Sequence, residues 1–247
     1  MPRLTLFKKI MSVTLLLSLL PLLVSSLILL SNLESVNARL TAEIADTSDT
    51  QAAESLQMRA QHVAETISEF LRQCEGDLLF LARTPRDNQT LLNFYTTRRS
   101  EVWQRRGTAD APRETRELLP LYRSVAFIDQ SGRERLVIRD GRFLESSELR
   151  DVSTPADSEF KSEDYFRRTK ELQQGEIHVS HLTGLHVSKQ EQLAGAADPE
   201  HANNCKIYEG VIRFASPLFD KRGVFSGMVV ISLDHRHLME FTQHIDP

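Results

Sequence analysis

The residue that most invites a chemical explanation is an arginine set in an apolar run. Arg213 stands between Ile212 and Phe214-Ala215, a strand-like position where a charge needs a reason. Three reasons compete. The side chain can reach a ligand, face water, or be held in a buried ion pair. Its planar fork suits bidentate contact with a carboxylate. Arg139, closing another strand-like run, and Arg167 or Arg168 could make the same kind of clamp, while Asp234 could receive an ammonium group. The ordinary alternatives are Tyr165 and Phe166 as plain core and Asp234 as the cap of a following helix.

Other clusters imply less. His178, His181, His186 and His201 fall within 24 residues, with Cys205 close behind. On a strand, positions 178 and 181 point to opposite faces, which argues against joint metal ligation. A Cys-x-x-Cys-His haem attachment is absent from the sequence. Neither a metal nor a cofactor is expected. The sequence has no Gly-x-Ser-x-Gly elbow, phosphate-binding glycine loop or His-Glu-x-x-His. Triads assemble from distant positions, but nothing here recommends an enzyme. Arg98, Arg99, Arg105 and Arg106 surround the single Trp103 and read as a solvated helix face.

The positions before these residues concern a membrane. Ile10 to Leu30 is a run of 21 residues without a charge. At the helical rise it extends about 31 Å, enough to cross a bilayer core. Arg3, Lys8 and Lys9 precede it and the first acid, Glu34, follows. The positive-inside rule therefore predicts a cytoplasmic N-terminus, residues 1–9, with the rest of the chain outside. A cleaved signal peptide is the rival, but its apolar core would be shorter. Net charge is −4, of which the first 30 residues contribute +3, leaving −7 on the remainder. That balance gives no footprint for nucleic acid. Cys74 and Cys205 permit one disulfide, yet Cys74 falls on an apolar helical stripe where a buried free thiol is common.

The elements that must position the candidate residues follow from periodicity. Leu56, Ala60, Val63, Ile67, Phe70, Cys74, Leu78 and Leu81 recur at steps of three and four, the pattern of one helical stripe. Thr84-Pro85 ends it. After the uncharged run, Leu33, Val36, Leu40 and Ile44 keep helical spacing, so the helix either continues outward or restarts at the polar Asp46-Thr47-Ser48-Asp49, where Ser48 with Gln51 resembles a capping box. Residues 88–106 read as a second helix and 107–112 as a loop. From Ser124 the period becomes two: strand 124–128, a turn at Asp129-Gln130-Ser131-Gly132, and a return strand 133–139. Residues 163–172 form a short helix, 176–182 a strand and 184–207 a long surface loop. A hairpin pairs 209–219 with 224–233, and a helix closes the chain over 235–244. The class is α+β, an antiparallel sheet with flanking helices.

This order of elements resembles a family. Val125-Ala126-Phe127-Ile128-Asp129-x-x-Gly132, Asp164-Tyr165-Phe166-Arg167-Arg168 with Gly175-Glu176, Val211 to Asp220, and Gly227 to Asp234, behind a membrane helix and a long helix, are similar to the double Cache sensor domains of bacterial histidine kinases, chemoreceptors and diguanylate cyclases. The resemblance covers about residues 33–244. It implies a transmembrane helix at 10–30, a long extracytoplasmic helix at 33–84 and a membrane-distal Cache-like module at 85–247, with the long helix packed on a PAS-like sheet. It places a ligand pocket between the inner sheet face and the helix around Tyr165, giving Arg139, Tyr165, Phe166, Arg167, Arg213 and Asp234 as ligand-binding candidates. The expected ligand is a small molecule, such as an organic acid or amine, and the expected assembly a homodimer through the long helix. The family's amino-acid-binding set includes a Trp that Trp103 does not match in place, so that specificity is not carried over. A second module and an output domain would follow in such a receptor, whereas the sequence ends at Pro247. The expectation is a membrane-anchored periplasmic or extracellular sensor region. Its alternative is a Cache-like interaction module that binds a protein partner and no ligand.

Overall fold

The computed structural model describes residues 6–108, 111–193 and 208–243, with some side chains, including those at 105–108, outside that description. The chain divides into two compact units, Met1–His62 and Val63–Pro247.

Helix α1 runs over Leu6–Ala82. Of the two expectations for residues 46–49, continuation and restart, the helix continues. Asp, Thr and Ser cost only a few tenths of a kcal/mol each in a helix interior, and no Gly or Pro is there to interrupt the backbone. Among the described residues no helix is long and apolar enough to cross a membrane. The span expected at 10–30 includes side chains 10, 12–14 and 16–18, which lie outside the described residues. The apolar stripe divides in its environment. Cys74, Leu78 and Leu81 are fully buried, whereas Leu56 is 67% exposed.

Helix α2 covers Asn88–Thr97, opened by Asp87, whose side chain accepts from the Thr90 amide. It stops well short of the helix expected to reach residue 106. Strands β1 (Arg99–Thr108) and β2 (Ala111–Pro120) instead form a separate two-stranded antiparallel hairpin. Little apolar alternation marks these strands, because they are held by cross-strand polar pairs. The Arg116 guanidinium lies 4.9 Å from the Trp103 ring and 3.4 Å from Glu101.

The main sheet contains β3 (Tyr122–Asp129), β4 (Glu134–Arg139), β5 (Arg142–Phe143), β6 (His178–Val179), β7 (Thr183–His186), β8 (Tyr208–Phe219) and β9 (Phe225–Asp234). Its order is β5-β4-β3-β9-β8-β6, with β7 also on β8, and every pairing is antiparallel. Asp129 accepts from the Ser131 and Arg133 amides at the β3–β4 turn. Gly132 there has φ +97°, and a Cβ would stand 2.7 Å from that of Ser153, so only glycine fits without displacement. Short helices α3 (Tyr165–Lys170) and α4 (Lys189–Leu193) follow β5 and β7, and α5 (His235–Gln243) follows β9. Where one longer strand was expected at 176–182, only residues 178–179 pair, and 183–186 pair separately. Residues 194–207 of the expected loop, with His201 and Cys205, lie outside the described residues.

Strand alternation sorts the sheet into two faces. On one, Val125, Phe127, Ile138, Phe214, Val229 and Ile231 pack with Leu78 and Leu81 of α1 and Leu91 and Phe94 of α2. Within this layer Asp77 of α1 accepts from the Tyr122 phenol at 2.9 Å and from Arg98 Nε at 2.8 Å. On the other face, Ala126, Ile128, Val137, Ala215, Met228 and Val230 pack with Tyr165 and Phe166 of α3.

Candidate functional site

The second face carries a polar row across four strands. Arg139 of β4 sits opposite Ser124 of β3, Ser124 opposite Ser232 of β9, and Ser232 opposite Arg213 of β8. Period two puts Ile212 and Phe214 on the α1 side and leaves Arg213 facing α3. Arg213 is 4% exposed. All three nitrogens of its guanidinium are hydrogen-bonded. Nη2 donates to Glu159 Oε2 at 2.7 Å, Nη1 donates to Ser232 Oγ at 2.6 Å, and Nε and Nη2 both reach the Glu163 carboxylate. The Ser124 hydroxyl donates to Ser232 Oγ at 2.9 Å. The rings of Phe160 and Tyr165 lie 5.5 and 5.3 Å from Arg213 Cζ, within cation–π range.

Arg139 joins this cluster more loosely, with Nε 3.7 Å from Glu159 and Nη2 3.9 Å from Glu134. Its Nε is buried without a hydrogen-bond partner. The electrostatics follow from this proximity. Burial pushes the Glu159 carboxyl up, but the Arg213 and Arg139 guanidiniums more than offset it and hold the group below the usual range. Burial pulls Arg213 down, but Tyr165, Glu163 and Glu159 outweigh it and raise the guanidinium further. The Tyr165 phenol is raised, chiefly by burial.

The expected residues thus separate into four places. Arg139, Tyr165 and Arg213 come together. Phe166 is buried in the layer behind, its ring 6.4 Å from Phe225. Arg167 is exposed, as is Arg168, because a helix that turns residues 165, 166 and 169 inward must present both to solvent. The partner of Arg167 is Asp164, at 3.3 Å. Asp234 lies in a different small cavity of about 70 Å³ beside Arg123, Asp140, Glu209 and His235. There it accepts from the Arg236 amide at 2.9 Å and pairs with that residue's guanidinium at 2.7 Å, the capping role noted as its ordinary alternative.

Glu159 and Glu163 were not singled out in the sequence. The available signal was two acids four apart, flanking Phe160 and preceding Tyr165, together with an arginine that would require an anion if buried.

Against this cluster lies an open groove of about 390 Å³. Its walls are Ser162, Glu163, Asp164, Tyr165 and Arg168 on one side, and His178, Val179, Ser180, His181 and Thr183 on the other. The paired strand ends at Val179, so the opposite-face argument does not reach His181, and both histidines border the same space. Burial lowers the pKa of His178. Among the described residues no group of three or more His, Cys, Asp or Glu side chains is placed to hold a metal ion.

No family model matches the chain, and no curated protein matches it significantly. Solved structures do. The extracellular domain of the histidine kinase vpHK1S-Z8 is 20% identical with a TM-score of 0.32, over 48% of this chain and 36% of that one. A domain of a sensory box/GGDEF family protein from Vibrio parahaemolyticus is 15% identical with a TM-score of 0.42, over 71% and 57%. The sensory domain of the Campylobacter jejuni chemoreceptor Tlp3 is 13% identical with a TM-score of 0.40, over 73% and 60%. The likeness is to domains of sensory proteins, one of them described as extracellular. The chain spans between about a third and three fifths of the length of these structures. Likenesses at this level do not assign a ligand to this chain.

Proposed function

We propose that this chain is the ligand-sensing region of a membrane-anchored receptor, held outside the cytoplasm, and that a small polar molecule binds in the groove between α3 and the β6–β7 edge. The observation that carries the reading is a shared wall. Glu163 and Tyr165 border the groove and also hold Arg213, which is bonded to Ser232 in the middle of the sheet. A molecule in the groove therefore presses on side chains already coupled to the sheet. Hydroxyls from Ser162, Ser180 and Thr183, the two imidazoles and Arg168 offer donors and acceptors for an organic acid or an amine. In this reading Tyr165 meets the ligand, Arg139 and Arg213 brace the wall behind it, and Arg168 takes the place expected of Arg167. The signal passes through the long helix, which also pairs two copies.

A thermal-shift screen of the full chain in detergent against organic acids, amines and nucleobases tests this. Binding to the native state alone raises Tm by mass action, about 2.7 kcal/mol of stabilisation at one hundred times Kd. Thr183→Trp, which fills the groove, should abolish the shift. No shift at millimolar ligand, with capture of a protein partner, would favour the interaction-module reading. The anchor rests on the uncharged run from Ile10 to Leu30. A C-terminal phosphatase fusion should be active and a cytosolic fluorescent fusion dark, and the reverse pattern would sink the topology.

A further inference from the structure

Arg213 occupies a socket built by other parts of the chain. Glu159, Phe160, Glu163 and Tyr165 come from the segment before and at the start of α3, and Ser232 comes from β9. None belongs to β8. The five supply the complement of a guanidinium: two carboxylates and a hydroxyl in reach of its nitrogens, and two rings within 5.5 Å of its central carbon. The surrounding cluster is also short of positive charge. Three carboxylates, Glu134, Glu159 and Glu163, share two guanidiniums, Arg139 and Arg213.

We infer that this socket is a guanidinium-binding site in its own right, kept closed by the chain's own Arg213 as a tethered occupant. Truncation to alanine would remove the side chain beyond Cβ, a fragment with the composition of ethylguanidinium. Because the walls belong to other elements, they remain when that fragment is gone. The vacated space should therefore take up a free alkylguanidinium. A primary ammonium of equal charge cannot fill it as well, since it lacks the planar fork that spans both carboxylates. In the intact protein the site is unavailable unless the segment from Ser158 to Tyr165 lifts. The inference does not depend on the sensor reading, since it concerns the socket and not the groove.

The test uses the full chain in detergent, intact and as Arg213→Ala, titrated with ethylguanidinium chloride and separately with ethylammonium chloride. At ten times its Kd, ethylguanidinium should raise the variant's Tm by about 3–6 °C, ethylammonium should do markedly less, and the intact chain should respond to neither. Adding Glu163→Gln to Arg213→Ala should remove the response. If Arg213→Ala is unfolded alone, the same titration is read as recovery of near-ultraviolet circular dichroism. Equal responses to the two cations, an equal response in the intact chain, or no response or recovery at any concentration below the denaturing range would each overturn the proposal.

Discussion

The Arg213–Glu163 pair should show strong energetic coupling, measurable by a double-mutant cycle. Arg213→Met keeps an apolar stem but strands the buried carboxylates of Glu159 and Glu163, whose side chains are 13% and 4% exposed. Removing one partner of such a pair costs about 3–5 kcal/mol. For a body of this size each kcal/mol moves Tm by about 2–4 °C, so the fall should be about 6–20 °C. Glu163→Gln keeps the shape but turns one acceptor into a donor facing the guanidinium. Its cost should be about 1.5–3 kcal/mol, the range for hydrogen bonds to charged groups. Once the guanidinium is absent, the glutamine no longer opposes a donor and one stranded charge is gone. The double variant should therefore be more stable than the sum of the singles predicts, by about 1–3 kcal/mol. Urea unfolding of the full chain, followed by near-ultraviolet circular dichroism, gives all four corners, with exposed Arg167→Ala as a control within about 0.5 kcal/mol of the parent. Additivity to within about 0.5 kcal/mol would refute the claim that these two side chains act as one unit.

Two further outcomes follow from the packing and the turn. Tyr122→Phe leaves one oxygen of Asp77 without its phenol donor in a buried layer, so it should cost about 1–3 kcal/mol, read as a lower urea midpoint with unchanged slope. At the β3–β4 turn, burial tends to raise the Asp129 carboxyl, but hydrogen bonds from Ser131, Arg133 and Arg135 win and hold it at about 2. Because that value is depressed, the turn's contribution is present above the unfolded value of about 3.9 and is lost as pH falls through about 2. The Ser131 and Arg133 amide shifts should titrate in that window, and Asp129→Asn should leave them flat.

The parts of the fold visible in the sequence were those whose burial is periodic. The three-and-four stripe ending at Leu81 has one face in a core, and the apolar strands from Ser124 to Arg139 have a core on each face. The β1–β2 hairpin escaped notice because its strands are held by polar pairs such as Arg116 with Glu101. The polar tract at 46–49 left continuation and restart both open, because polarity without glycine or proline does not by itself end a helix. At the site, Arg213 was conspicuous because a charge interrupts an apolar run. Its partners were not, because Glu159 and Glu163 lie about fifty residues away in a segment with no regular period, and only the fold brings them under the sheet. Arg167 and Arg168 could not be distinguished in the sequence, because both face outward on α3 and only the fold brings Arg168 beside the β6–β7 edge.

The way the main sheet terminates governs how copies of the chain can associate. Its long strands, β3, β8 and β9, all lie inside. The outermost positions fall to β5 and β6, each only two residues long, and to the four-residue β7 beside β8, and the Arg142 side chain on β5 is held by both oxygens of Glu148. An approaching backbone would find too few free amides and carbonyls to extend the ladder, and at one side a charge as well. Strand addition to the main sheet is thereby disfavoured both as a route to aggregates and as a mode of capturing an extended peptide. At the main sheet, self-association and partner docking are left to side-chain surfaces.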